Sequence, residues 1–310
     1  MILWVALAIV ILITLVVVTR PAFQQKNNEV VVRQPGSRWL GPRQPAQPFA
    51  SEDFPYAFLS SSAYCLPAPA ANDPRCADVV TNLGSQWKKW SDFPDSKLQS
   101  EMDAVHLRAQ VWENRSQGLL VVAFGGTVAS NLKDWKANTH WAHPFLKDEY
   151  TVLGDAFVRA FAQCLAVKMQ QPGGEYLGKT KLIATGHSLG AGLAEKFAYS
   201  LPADEFRVPR VQKVYAFDPT PVTSFLNTAF SIRQENKTGL EIDRIYERGE
   251  ILSILRSITS TLHTPPEINP RVRQIRYNLF GDDHYGLTNP VASHSIWDLA
   301  DRMKAVAVGK

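Results

Sequence analysis

The chain has 310 residues, 45% hydrophobic and 20% charged, enough for one large α/β domain and crowded for two. Its formal net charge of +4 is accounted for by residues 20–50, where Arg20, Lys26, Arg33, Arg38 and Arg43 stand against Glu29. The remainder is formally neutral, which argues against a nucleic-acid partner, and three cysteines, Cys65, Cys76 and Cys164, are too few for a disulfide framework and lack metal-ligand spacing.

Residues 1–19 carry no charged side chain and are long enough to cross a bilayer as a helix. No Lys or Arg precedes the apolar run and no small-x-small cleavage site follows it, so a single-pass anchor is expected rather than a cleaved signal peptide. Residues 20–50 contain Pro21, Pro35, Pro42, Pro45 and Pro48 and read as a basic linker. A juxtamembrane basic cluster is drawn to anionic headgroups and favours the cytoplasmic face for the domain that follows; plain solvation of a linker is the alternative. Cys65 and Cys76 could pair across a proline-rich loop, and that would require an oxidising compartment, periplasmic or extracellular. The two indications conflict.

The globular part is expected over 51–310. Val105, Leu107, Ala109 and Val111 alternate with polar residues, predicting a strand with one wet face. After a turn at 114–118, residues 119–124 (LLVVAF) are apolar throughout, as in a strand buried on both faces. A helix is predicted over 155–169, with Cys164 on its apolar side. Residues 173–180, GGEYLGKT, match the phosphate-loop pattern. That loop must leave a strand and open a helix, and here a helix precedes and a strand follows, so a helix-to-strand turn is expected.

The most informative stretch is 181–201, KLIATGHSLGAGLAEKFAYSL. A short apolar strand turns at Gly186 and Gly190 into an alanine-rich helix with Ser188 at the bend, the pattern of a nucleophile elbow. There the Leu189 backbone N–H, lacking an intrahelical partner, is placed to bind a developing oxyanion. Strands over 211–217 and 242–246 and a closing helix over 293–306 complete an α/β sheet with helices on both faces. In such sheets sites form at the carboxyl ends of strands, where Ser188 and the Gly125–Gly126–Thr127 turn fall. His140 and His143 lie in a segment rich in aromatics, with Trp135, Trp141 and Phe145. No third ligand converges on them, so aromatic packing is expected rather than a metal pair, in either a mobile cover (128–146) or a packed loop.

Three stretches together resemble the class 3 (fungal-type) lipase family of α/β hydrolases: the elbow GHSLGAGLA; FGGT at 124–127 followed by Asp134, Trp135 and Asn138; and RIYERGEIL at 244–252. NPVASHSIWDLADRM at 289–303 is similar to the His-bearing start of the last helix in bacterial relatives. The resemblance implies an oxyanion role for Thr127, a triad acid at Glu250, where the family usually has aspartate, and a triad base at His294.

A serine hydroxyl needs a histidine to take its proton and an acid to orient that histidine. The chain order Ser, acid, His is that of α/β hydrolases. His294, at the start of a packed helix, is preferred over His284 in a polar turn and His263 in a proline-bounded loop. Glu250 is preferred over Asp218, which a turn before Pro219 would explain, and Asp243, which lies within a strand. The expected activity is hydrolysis of carboxylic esters of acyl lipids at a bilayer, through an acyl-Ser188 intermediate, with no metal or organic cofactor. The rivals are an inactive, membrane-tethered hydrolase fold acting as an interaction module, a phosphate-loop nucleotide binder, and a thioesterase or peptidase on the same scaffold.

Overall fold

The computed structural model describes residues 28–65, 76, 81–126, 156–219, 228–248, 264–279 and 294–309. Continuous apolar runs become the middle of one sheet and alternating or short runs become its edges. Among the described residues nine strands are ordered β2-β1-β9-β8-β7-β6-β5-β4-β3: β1 (Glu29–Arg33), β2 (Arg43–Pro45), β3 (Trp87–Lys89), β4 (Arg108–Asn114), β5 (Leu119–Gly125), β6 (Lys181–His187), β7 (Val211–Phe217), β8 (Glu241–Glu247) and β9 (Arg271–Asn278). Neighbours from β5 to β9 run parallel, and β1, β2, β3 and β4 each join antiparallel.

Strand periodicity sends successive residues to opposite faces, and two apolar layers result. One face, with Leu120, Val122, Phe124, Leu182 and Val214, packs against α2 (Ser96–Ala104), α3 (Val158–Gln170) and α4 (Leu189–Ser200). The other, with Val121, Ala123, Ile183, Phe217 and Ile275, packs against α1 (Gln47–Ser62) and α7 (Ile296–Ala307). A short α5 (Ala203–Phe206) and α6 (Phe230–Asn236) lie in the connections after α4 and before β8.

The expected linker over 20–50 is corrected from residue 28 onward. Val30 and Val32 are buried in β1, which pairs with β9 along its whole length. Arg33 is itself buried, donating to the Ser37 and Arg38 carbonyls. Pro48 opens α1, where the missing N–H costs no hydrogen bond, so proline that read as punctuation marks a helix start. The fold therefore takes in residues 28–50 and does not start at 51.

The strand expected from 105 begins at 108, because His106 takes a left-handed turn (φ 57°) that ends α2. Its wet face is also corrected: Gln110 is buried, exchanging hydrogen bonds with Ser62 and accepting from Trp112 Nε1. GGEYLGKT forms a 3-10 turn (Glu175–Lys179) between α3 and β6, with Lys179 exposed and no helix N-terminus for a phosphate. Cys65 and Cys76 are joined, and Cys164 is half-buried beside the core. Among the described residues no helix is long and apolar enough to cross a membrane; the expected anchor, 1–19, lies outside them.

A charged cluster lies about 13 Å back from the carboxyl edge, four residues along the strands. Lys213 on β7, Asp243 on β8 and Arg273 on β9 meet Glu52 of α1, with Lys213–Asp243 at 2.9 Å and Arg273–Asp243 at 2.5 Å. Asp53 is buried beside them and accepts from Tyr277 Oη at 2.7 Å. Burial, reinforced by the Asp243 and Glu52 carboxylates, pushes Asp53 up to about 8. Glu52, Asp53 and Asp243 have the spacing of metal ligands, but Lys213 and Arg273 already pair with Glu52 and Asp243, so a metal ion would have to displace two cations.

Candidate active site

Local sterics build the elbow. β6 runs buried to His187, the chain turns at Ser188 with φ 58° and ψ −121°, and α4 starts at Leu189. A non-glycine residue held there stores about 1–3 kcal/mol, which surrounding structure must offset. The Ser188 N–H donates to the Phe217 carbonyl of β7 at 2.9 Å and its carbonyl accepts from Ala191 at 3.1 Å, fixing the corner on both sides. Ser188 and Leu189 are half-buried while residues 182–187 of the strand before them are buried. Leu189 is the first residue of α4, so its N–H has no carbonyl one turn back.

The glycines permit the approach of three backbone segments. A Cβ on Gly186 would lie 2.1 Å from the Gly190 carbonyl oxygen, and one on Gly190 would lie 2.4 Å from the Phe124 oxygen and 3.0 Å from the Gly126 nitrogen. The turn leaving β5 is thereby seated against the start of α4, where the predicted oxyanion turn belongs. Thr127, its last member, falls outside the described residues.

Beside the elbow lies a polar cluster of Tyr64, His187, Asp218 and His294. Tyr64 Oη is 2.8 Å from His187 Nδ1 and 3.3 Å from the His187 carbonyl, and a Cβ on Gly126 would meet it at 2.6 Å. One phenol thus touches both the elbow and the turn leaving β5, and burial holds its pKa well above the ordinary range. On its other side His187 presents Nε2 at 3.6 Å from Asp218 Oδ2. Asp218 is fully buried at the end of β7. His294 stands just ahead of Ser295, whose Oγ caps α7 by accepting from the Asp298 N–H, and its ring lies 4.6 Å from that of His187. One donor atom each from His187, Asp218 and His294 falls within 4.8 Å of the others. A transition metal could take the same donors, at the expense of occupying the imidazole a serine needs as its base.

Of the residues singled out in the sequence, Ser188, Leu189 and His294 are described, and His294 sits in the cluster flanking the elbow. Glu250 lies outside the described residues, as do His263, His284 and 128–146. Asp243 belongs to the internal ion cluster at the far end of the strands. Asp218, whose position before Pro219 reads as that of a turn former, lies in the cluster with His187 and His294. Tyr64 and His187 join the cluster without a signal in the sequence; a tyrosine two residues beyond a helix carries no local mark of what it will face.

No protein-family model matches the sequence, and no curated protein is significantly similar to it. Among solved structures, the chain is similar to a lipase from Rhizopus microsporus var. chinensis, at 16% identity over 75% of this chain and 74% of that one, with a TM-score of 0.42. It is similar also to the Lip2 lipase of Yarrowia lipolytica, at 17% identity over 78% and 90%, TM-score 0.40. A third is a triacylglycerol lipase whose catalytic centre is a serine protease triad, at 20% identity over 67% and 74%, TM-score 0.42. At that level of identity and superposition the likeness carries no functional weight.

Proposed function

We propose that the chain is a serine hydrolase of carboxylic esters, acting on acyl lipids through an acyl-Ser188 intermediate. The observation that carries this is a serine held in strained backbone geometry at a strand-to-helix corner, with a histidine and a buried carboxylate clustered alongside. Ser188 Oγ attacks the ester carbonyl while His294 takes its proton. The Leu189 N–H and Thr127 stabilise the tetrahedral oxyanion; collapse expels the alcohol, protonated by His294, and water then reverses the sequence to release the acid. Glu250 is the acid position the family resemblance implies. No step requires a metal or organic cofactor.

The acyl-lipid substrate is supported by the three motifs shared with fungal-type lipases and by the apolar run at 1–19, which as an anchor would hold the domain at a bilayer and raise local lipid concentration. The Cys65–Cys76 pair supports a domain on the oxidising side of that membrane, against the direction of the linker charge. The test is turnover of a long-chain ester by purified wild type and Ser188→Ala, with fluorophosphonate labelling. Loss of the nucleophile should lower turnover by a factor on the order of 10⁶ and abolish labelling. Equal rates in the two proteins would end the proposal, and an unlabelled, inactive wild type would establish the interaction-module alternative.

A further inference from the structure

Two buried carboxylates among the described residues lie at the carboxyl edge near the elbow, Asp218 after β7 and Glu247 at the end of β8. Glu247 serves the fold, because its Oε1 accepts the Leu279 N–H at 2.9 Å and ties down the end of β9. Asp218 is placed differently. Its N–H donates to the Ile245 carbonyl at 2.7 Å, and its φ of 42° lies in the left-handed region that aspartate tolerates better than most side chains. This turn stops the chain from continuing along β7 and leaves the carboxylate inside the molecule, fully shielded from solvent.

An ionised carboxylate without water is costly unless hydrogen-bonding or cationic partners meet it. Two imidazoles lie beside it among the described side chains, His187 with Nε2 3.6 Å from Oδ2 and His294 within the same 4.8 Å cluster. The pair has unequal prospects. His187 belongs to the buried strand before the elbow, and its other nitrogen is engaged by Tyr64. His294 is half-buried, just ahead of an element that comes from the opposite end of the chain.

Resting on the Ser188 reading, we infer that Asp218, not the position after β8, is the acid that orients His294. Asp218 acts through the imidazole and touches no substrate, so it is a positioning residue. His187 packs beside it and, through Tyr64, couples the carboxylate to the oxyanion turn. The order Ser188, Asp218, His294 keeps the chain order that the chemistry uses in this fold.

The experiment compares Asp218→Asn, Asp218→Glu and Glu250→Gln with wild type and Ser188→Ala, on a soluble short-chain ester, as kcat, KM and the pH profile of kcat/KM. Asp218→Asn should lose roughly 10³–10⁴ in kcat with KM within about threefold, because an amide can hold the wrong imidazole tautomer. Its acid limb should move about one pH unit lower, since the anion that favoured the imidazolium is gone. Asp218→Glu should recover at least tenfold over the asparagine variant, and Glu250→Gln should lose at least tenfold less than Asp218→Asn. A larger loss in Glu250→Gln than in Asp218→Asn overturns the assignment. If Asp218→Asn does not unfold cooperatively, the glutamate variant decides: an acid limb unchanged from wild type with recovered kcat supports the inference, and full inactivity in a folded protein overturns it. Wild-type turnover by Ser188→Ala would instead refute the hydrolase reading, so the two failures are separable.

Discussion

Gly190→Ala probes how the turn leaving β5 is held against the elbow that carries Ser188. The added methyl would lie 2.4 Å from the Phe124 oxygen, 2.8 Å from the Gly125 carbonyl carbon and 3.0 Å from the Gly126 nitrogen, all backbone atoms that cannot swing aside. Ordinary contact begins near 3.4 Å, so the β5 turn and the first turn of α4 must separate by about 1 Å. Overpacking of this kind costs about 1–3 kcal/mol, against which alanine returns up to about 1 kcal/mol of helix propensity. Net destabilisation should be near 1 kcal/mol, a fall in Tm of a few degrees for a domain of this size. The catalytic effect should be larger, because a displacement of about 1 Å between reacting groups costs roughly 100-fold in rate. The assay is kcat/KM on a soluble ester together with thermal unfolding followed by circular dichroism. Gly178→Ala is the control: its methyl would meet the Met169 Cε at 3.0 Å, the free end of a flexible side chain, and both quantities should stay near wild type. A Gly190→Ala protein with wild-type kcat/KM and Tm would refute the idea that backbone contact sets the site.

Phe197→Ala should cost about 3–5 kcal/mol in urea unfolding, since this fully buried ring lies 5.5 Å from Phe124 and 5.3 Å from Phe161; a loss under about 1 kcal/mol would contradict that packing. Asp53→Asn tests the buried acid. Its folded pKa of about 8 exceeds its ordinary 3.8, so the stability from the protonated form is complete below about pH 4 and is lost as pH rises through 8. Wild type should therefore lose stability relative to Asp53→Asn across that window, by at most about 1.4 kcal/mol per pH unit. Parallel stability curves for the two proteins between pH 5 and 8.5 would show that Asp53 does not titrate there.

The sequence by itself determined the elements whose causes are local. Gly186 and Gly190 around Ser188 specify a corner by sterics alone, the run at 119–124 and the segment at 211–217 form buried strands, and the order helix, turn, strand removes the phosphate-loop reading of 173–180. The position of His294 was legible because the start of a capped amphipathic helix has a local signature. Only the tertiary structure decided what depends on chain segments distant in sequence. β1 became a strand because β9 supplies its hydrogen bonds, although its own surroundings read as linker. Gln110 became core because Ser62 reaches it across the α1–sheet layer. Asp218 reads locally as the residue before a proline; its carboxylate gains meaning when folding brings β6, β7 and the start of α7 to one edge. Hydrogen bonding and burial of charge depend on distance in space, and a linear pattern holds no record of which imidazole a carboxylate will meet.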